Sequence, residues 1–491
     1  MGEFLLGIDL GTTNAKAILI DRRGKIIFLT SCSYPILAPR PNFSEQDPQV
    51  WWRASKDMLN KISSMVNLKD IKAIGLSGQM HGLVMVDKRG LPLKNAIIWT
   101  DSRSTPQVKE MEDKVGEGRL YTITGFPPFP GFLGPSLLWI KENQSHILKK
   151  INCVLLPKDY LKFKFTENFS TDFSDASGTL LFDIEKRQWS EEIIEKLDLP
   201  FEIFPQVLES SQIAGTISHK AHEETGLSKD TIVLCGGGDQ AISAISNGVI
   251  KEGTVSSTIG TGGQILTATG KPLLDRKRRL HTFCHSLTDR WLLMGAILSA
   301  GLSLKWFKEN ILKTEVSFNE LQREASKIPP CSEGLLFLPY LVGERTPHMN
   351  PHAEGVFFGL SLKSSPAHMV RAVMEGVTFA LKDCFVVLEE VGIKVERVVA
   401  AGGGAKSPLW LQMQADIFER EILISEIEEQ AAYGAALLAG LGAGVFKSLK
   451  EIETKFLKYR KSVFPIKKNI ERYREIYSVF KSLYRAVEKN Y

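Results

Sequence analysis

The sequence predicts an α/β protein built as two similar halves facing a shared cleft, and two observations carry that expectation. A strand, a Gly-Thr turn and a second strand open the chain at residues 4–21 and return at residues 254–267, with the turn glycines at positions 11 and 260, about half of the 491 residues apart. Self-similarity of this kind marks a duplicated domain. Glycine-rich runs at 236–238 and 402–404 each follow an apolar strand pattern and precede a helical one, an order that turns backbone N–H groups toward an anion.

The composition agrees. A chain of 491 residues, 43% hydrophobic and 24% charged, suits two or three packed cores at roughly 150 residues each. A net charge of +5 is small for this length and excludes a dedicated nucleic-acid binder. The six cysteines never come closer than 47 residues in sequence, which excludes CxxC metal or redox sites and points to a reducing cytoplasm. The start, MGEFLLGIDLGTT, lacks a signal peptide's basic segment, and no apolar run approaches the ~20 residues that span a bilayer, so neither export nor a membrane is expected.

Taken in order, residues 4–9 read as a strand, Gly11-Thr12-Thr13 as a turn and 16–21 as the returning strand; a second turn at 22–25 enters IIFLT. IKAIGLS leads into Gly78-Gln79-Met80-His81-Gly82. TIVLC enters Cys235-Gly236-Gly237-Gly238-Asp239-Gln240, and AISAISNG follows as a helix. The halves meet near 245–253, giving an N-terminal domain over 1–245 and a C-terminal domain over 246–491. In the second half, strand 254–259, turn 260–263 and strand 264–267 repeat the opening, and VERVVAAG enters Gly402-Gly403-Gly404-Ala405 before the helix PLWLQMQADIF. The tail from Lys450 carries twelve basic and five acidic residues, with Tyr473, Tyr477, Phe480, Tyr484 and Val487 at helical spacing. That pattern reads as an amphipathic helix docked on the second half with its basic face in water.

Some residue types in these places suit particular chemistry. Asp9, leaving a strand beside the Gly11 turn, can hold a hydrated Mg²⁺ against phosphate oxygens, or can be an Asx-turn residue. Thr12, Thr13 and Lys16 add hydroxyls and a cation, and Gly260-Thr261 would oppose them, a pairing that suits a triphosphate. Asp239, behind three glycines at the junction of the halves, is the candidate general base for moving a phosphoryl group to an alcohol; a helix N-cap is its structural alternative. Gln79 and His81 lie on a loop between glycines, with core packing the alternative for His81. Asp101 and Arg103 beside Trp99 suit a polyhydroxylated ligand, and a surface ion pair is their alternative. His348 and His352 have metal-like spacing, but Pro347 and Pro351 break the helix that would align them, and His281 with His285 falls in a strand-like stretch, so no structural zinc is expected.

Together these motifs resemble the FGGY carbohydrate kinases, and among them the members that phosphorylate xylulose. The likeness runs through GIDLGTTNAKA, EQDPQVWW, GLSGQMHGLV, IWTDSRS, DFSDASGTLLFD, CGGGDQA, PYLVGERTPHMNPHAEGVFFGLSL, AVMEGVTFALKD and AGGGAKSPLWLQMQADIF, in the family's order. The resemblance implies two actin-like (ribonuclease-H-like) domains with an interdomain active-site cleft, the sugar deep in it, and Mg-ATP bound mostly by the second domain. It implies Asp239 as catalytic base, Asp9 as the acid near Mg²⁺, and Met80 and His81 as the sugar-contacting pair, with Gln79, Asp101, Arg103 and Gln240 completing the substrate set. Gly11, Thr12, Thr13, Lys16, Gly260, Thr261, Gly402, Gly403, Gly404 and Ala405 would bind the nucleotide. One departure stands in the second phosphate turn, where Gly262 replaces a common serine. The expected partners are a small sugar, ATP and a second copy of the chain in a homodimer, with no nucleic acid and no membrane.

Overall fold

The computed structural model describes residues 3–491. The first sheet begins with β1 (Phe4–Leu10), β2 (Asn14–Asp21) and β3 (Ile26–Ser33), an antiparallel meander. Helix α1 (Pro48–Ser63), capped by the Asp47 carboxylate on the Gln49 N–H, crosses to β4 (Ile71–Gly78), which lies parallel to β1. After helix α2 (Pro157–Thr166) come β5 (Ile213–Thr216) and β6 (Ile232–Leu234), giving the order β5-β6-β4-β1-β2-β3, with Gly237 and Gly238 beside the end of β4. Helix α3 (Asp239–Ser246) follows directly.

The second sheet repeats the plan. β7 (Thr254–Ile259) and β8 (Gly263–Thr269) are an antiparallel pair extended by β9 (His281–Cys284) and β10 (Trp291–Ile297). The long helix α4 (Pro366–Glu390) leads to β11 (Arg397–Gly402), parallel to β7; then come α5 (Pro408–Phe418), β12 (Ile422–Ser425), α6 (Gln430–Gly442) and the edge strand β13 (Tyr459–Val463). The order is β9-β10-β8-β7-β11-β12-β13. In each sheet an antiparallel hairpin is joined to two parallel strands and closed by an antiparallel edge, so the internal repeat seen in the sequence is one of topology. At the turn that ends β11, Gly402 has φ +71°, and a Cβ there would come within 2.6 Å of the Ile259 carbonyl oxygen, so only glycine fits.

The two sequence halves do not own separate cores. Helix α6, from the second half, lies flat on the first sheet, where a Cβ at Gly7 or Gly75 would collide with the Ala432 or Ala435 carbonyl oxygen. Leu5, Ile18 and Ala73 share one buried cluster with Ile242, Leu437 and Phe456. Similarly, Leu266, Phe283 and Met294 of the second sheet pack against Phe126, Phe132 and Leu181 of the first half. The terminal helix α7 (Lys467–Val487) docks on the second half as expected, burying Tyr473, Phe480, Leu483 and Tyr484 in its core. No helix among the described residues is long and apolar enough to cross a membrane, and all six cysteines are unpaired.

Candidate active site

Parallel pairing of β1 with β4 sets Asp9 opposite Ser77, whose hydroxyl donates to Asp9 Oδ1 at 2.8 Å. The turn after β1 is held from behind. Tyr34 Oη donates to the Gly11 carbonyl at 2.5 Å, Gln46 Nε2 donates to the Thr12 carbonyl at 2.6 Å, and Trp99 Nε1 donates to Thr12 Oγ1 at 2.9 Å. With its carbonyls occupied from the protein side, the turn keeps its other face for a ligand.

Asp239 is the first residue of α3, with Gly238 in the cap position, so the N-cap alternative does not describe it. The glycines before it make room: a Cβ at Gly238 would lie 2.7 Å from Met80 Cγ, and this close approach sets Met80 beside the carboxylate. Burial, and then the charge of Asp9, push the Asp239 pKa up to about 7, although the Gln240 backbone and side chain oppose the rise. Asp239 keeps part of its surface open to the cavity, yet the surrounding protein displaces enough water for burial to dominate. Burial also raises Asp9, against the pull of Ser77 and Lys16.

A cavity of about 140 Å³ opens in front of Asp239. At about 30 Å³ per water it holds roughly five waters, the scale of a five- or six-carbon polyol. The first half lines it with Thr12, Met80, His81, Trp99, Phe132, Asp239 and Gln240; the second half supplies Gln264, Phe283, Met294 and Arg345. His81 sits at φ +74°, stacked on Phe132 with ring centroids 3.7 Å apart. Its Nδ1 lies 2.7 Å from the Gly178 carbonyl, which can only accept, so the proton is on Nδ1. Burial holds the ring down at about 4, so it is neutral near pH 7 with Nε2 as an acceptor.

Two further hollows extend the cleft. One is lined by Lys16, Gly402, Ala405 and Glu429, with Lys16 Nζ 2.5 Å from the Glu429 carboxylate across the halves. The other, about 310 Å³, is lined by Gly260, Gly403, Gly404, Phe318 and Trp410 among others, with Thr261 exposed at its rim and Thr13 exposed beside the first turn. Among the described residues no three metal-ligating side chains cluster. The Asp9 carboxylate suits Mg²⁺, which keeps several waters and takes one or two carboxylates plus phosphate oxygens, and Asp9, destabilised as an anion by burial, gains from a cation beside it.

Three expected substrate residues sit elsewhere. Asp101 and Arg103 are buried on each other: Arg103 Nε and Nη2 donate to Asp101 at 2.9 and 2.8 Å, and Nη2 also donates to Glu45 at 2.7 Å. The guanidinium lies 3.6 Å over the Phe43 ring. They form neither part of the cavity lining nor a surface pair, because Glu45 and Phe43 complete a closed polar cluster. Gln79 turns inward as well, donating to Gln46 Oε1 at 2.9 Å; it supports the Thr12 turn through Gln46 and does not reach the cavity.

Residues outside the sequence-derived set also build the site. Phe132, Phe283, Gln264, Met294 and Arg345 line the cavity, and of these Arg345 has a signal, a charged Gly-Glu-Arg step directly after the apolar PYLV stretch. Behind Asp239, the Gly238 N–H donates to Ser174 Oγ at 3.1 Å, and Ser174 donates to Asp172 Oδ2 at 2.5 Å. Lys158 Nζ, fully buried, lies 2.9 Å from Asp172 and 2.5 Å from Asp159. The backbone that carries Asp239 is thus tied to a buried ionic cluster.

A pH profile tests the electrostatics. A base must be deprotonated to act, so kcat/KM is expected to rise about tenfold per unit up to pH ~7 and level above it. Asp9→Asn, which removes the repelling charge, is expected to move that acid limb to lower pH, whatever it does to the plateau. An unmoved limb would show that the limb does not belong to Asp239.

Comparison with known proteins fits this geometry. Residues 4–246 match the N-terminal domain and residues 255–443 the C-terminal domain of the FGGY family of carbohydrate kinases. A xylulose kinase of Bacillus subtilis (strain 168) is 39% identical over 484 residues, covering 98% of this chain and 97% of the relative. One of Lactococcus lactis subsp. lactis (strain IL1403) is 40% identical over 488 residues, covering 98% and 96%. A crystal structure of a xyloylose kinase from Brucella ovis superposes with a TM-score of 0.94 at 33% identity, covering all of both chains. The fold is the two-domain actin-like arrangement that the family resemblance implies. With both domains matched in order and full-length relatives at this identity, the chain belongs to the FGGY family of carbohydrate kinases.

Proposed function

We propose that this ATP-dependent carbohydrate kinase phosphorylates the terminal hydroxyl of D-xylulose, yielding D-xylulose 5-phosphate and ADP, with Asp239 as general base. One observation carries the reading: a carboxylate raised to about 7 opens onto a pentulose-sized cavity that adjoins the Thr12 turn. The names of the full-length relatives support the choice of sugar.

In this reading the sugar lies with its terminal hydroxyl on Asp239. His81 Nε2 accepts from a second hydroxyl, the Gln240 and Gln264 amides serve others, and Met80, Trp99, Phe132 and Phe283 cover the C–H faces. As the sugar oxygen bonds to the γ-phosphorus, the bond from that phosphorus to the bridging oxygen of ADP breaks and the hydroxyl proton passes to Asp239. N–H groups of the turns at Gly11, Thr12 and Thr13 and at Gly260 and Thr261 receive phosphate oxygens, with Lys16 near them. Gly402, Gly403, Gly404 and Ala405, with Trp410 and Phe318, hold the nucleoside side. Mg²⁺ at Asp9 would neutralise charge on the β- and γ-phosphates. The domain assignment is then 1–245 as the main sugar-binding domain and 246–491 as the ATP-binding one, with Gln264, Phe283, Met294 and Arg345 of the latter closing the sugar cavity. The six unpaired thiols support a reducing, cytoplasmic setting.

ADP release measured over a panel of pentuloses, hexuloses, glycerol and gluconate tests the substrate. D-xylulose is expected to give the highest kcat/KM by at least about tenfold, since a few pocket contacts decide between similar sugars. A higher value for another acceptor would replace xylulose. ADP formation at the same rate without any sugar would replace the kinase reading by that of an actin-like ATPase.

A further inference from the structure

Lys16 has a carboxylate opposite it in its own hairpin and pairs with a different one. In the β1–β2 register it faces Asp9, so the two side chains leave the same face of the sheet as direct neighbours. The Asp9 carboxylate accepts from Ser77, however, and Lys16 Nζ lies 2.5 Å from Glu429 Oε2, 413 positions along the chain in the second half. Glu429 stands directly before α6, and its side chain caps no N–H of that helix, which leaves the carboxylate to reach across the halves. Lys16 is thus one cation between two carboxylates. Burial disfavours the Asp9 anion most; Ser77 and Lys16 favour it and Glu429 opposes it, so the charges act as one set. The other cations lining this hollow do not restore the balance: Lys406 pairs with Glu428 at 2.7 Å, and Arg460 is exposed, where water and salt screen it.

In the nucleotide reading above, the phosphate tail passes Lys16 in this hollow, which Gly402 and Ala405 also line. A metal-free tail, carrying only negative charge, meets a lysine already neutralised and a second carboxylate beside it. A tail that brings a divalent cation brings the missing positive charge with it. We propose that Glu429, by neutralising Lys16, makes the site select the metal-bound nucleotide over the metal-free one, and so acts as a specificity residue for the phosphate donor. This rests on the reading of the glycine turns as the nucleotide site.

Calorimetric titration of the full-length chain with β,γ-imido-ATP, once in excess Mg²⁺ and once in EDTA, tests it without any turnover. The parent is expected to bind the Mg²⁺ form about 30-fold more tightly or better. Glu429→Gln releases Lys16 to the phosphates and removes a repelling charge. It is expected to tighten the metal-free form by about tenfold while moving the Mg²⁺ form by less than about threefold. Glu429→Asp keeps the charge and is expected to keep the preference. A pair that only joins the halves would instead lower the Tm of Glu429→Gln and leave the preference as it was, which overturns the proposal. A parent that binds both forms equally well overturns it too, with no variant needed. In either case the nucleotide site stands if the Mg²⁺ form still binds. Failure of the parent to bind the nucleotide in either form takes down the nucleotide-site reading and this proposal with it.

Discussion

Asp239→Asn is expected to lower kcat by about 10²–10⁴-fold while leaving the sugar KM within a few-fold of the parent. Asparagine keeps the shape of the side chain and an oxygen to accept from the terminal hydroxyl, so binding and position survive. What it cannot do is hold the proton once the sugar oxygen bonds to phosphorus, so the loss falls on the chemical step. In energy this is about 3–5 kcal/mol of barrier. Folding is expected to be unharmed, because the Asp239 charge is disfavoured by burial and by Asp9 in the parent, and the substitution removes a repulsion. Steady-state kinetics with coupled ADP detection, beside a thermal melt, reads both. Activity within about fivefold of the parent in a folded Asp239→Asn protein would remove Asp239 from the chemistry.

The contrast between Asp239 and Arg103 shows what sequence can and cannot resolve. Asp239 was legible because its setting is local: a strand ending at Leu234, three glycines and a helix fix where its carboxylate emerges. The same holds for Asp9 and the repeated turns, where strand pairing one residue apart from the turn sets the geometry. Arg103 sits away from the cavity lining because its surroundings are non-local. Glu45, 58 residues earlier in the chain, takes the guanidinium, and Phe43 covers it, so the short spacing to Asp101 described a real pair but not the direction it faces. Gln79 turns inward for a similar reason, its amide being claimed by Gln46. The second wall of the cavity comes from Gln264, Phe283 and Met294 on a sheet whose inner face meets the first half only in the folded chain, and from Arg345 on a loop. Periodicity finds strands, but it does not say which lobe a strand faces.

Lys158→Met is expected to be the most destabilising single change around the site, for a reason lying wholly behind it. Lys158, Lys162, Asp159, Asp172 and Asp175 are fully buried. Burial, reinforced by Asp159 and Asp172, drives Asp175 well above its usual range against the pull of Lys158, whose Nζ lies 3.5 Å away, and its two oxygens have no hydrogen-bond partner. Two lysines thus face three aspartates, of which Asp175 is the one pushed toward its neutral form, and Asp159 and Asp172 hold Lys158 well above its ordinary value against the opposing effect of burial. Methionine fills much the same volume but leaves Asp172 without its cation, and breaking a buried pair in this way costs about 3–5 kcal/mol. For a domain of about 200 residues that is a fall of roughly 6–20 °C in Tm. The double change Lys158→Met with Asp172→Asn restores the balance, since Lys162 keeps Asp159 at 3.0 Å and the asparagine oxygen can still accept from Ser174. It is expected to recover more than half of the loss, a coupling that a double-mutant cycle measures directly. If the two losses merely add, the cost lies in packing and not in charge. If the pair recovers stability but not kcat, the Asp172 charge is needed at the Ser174 hydroxyl, and through the Gly238 N–H, to hold Asp239 against the sugar.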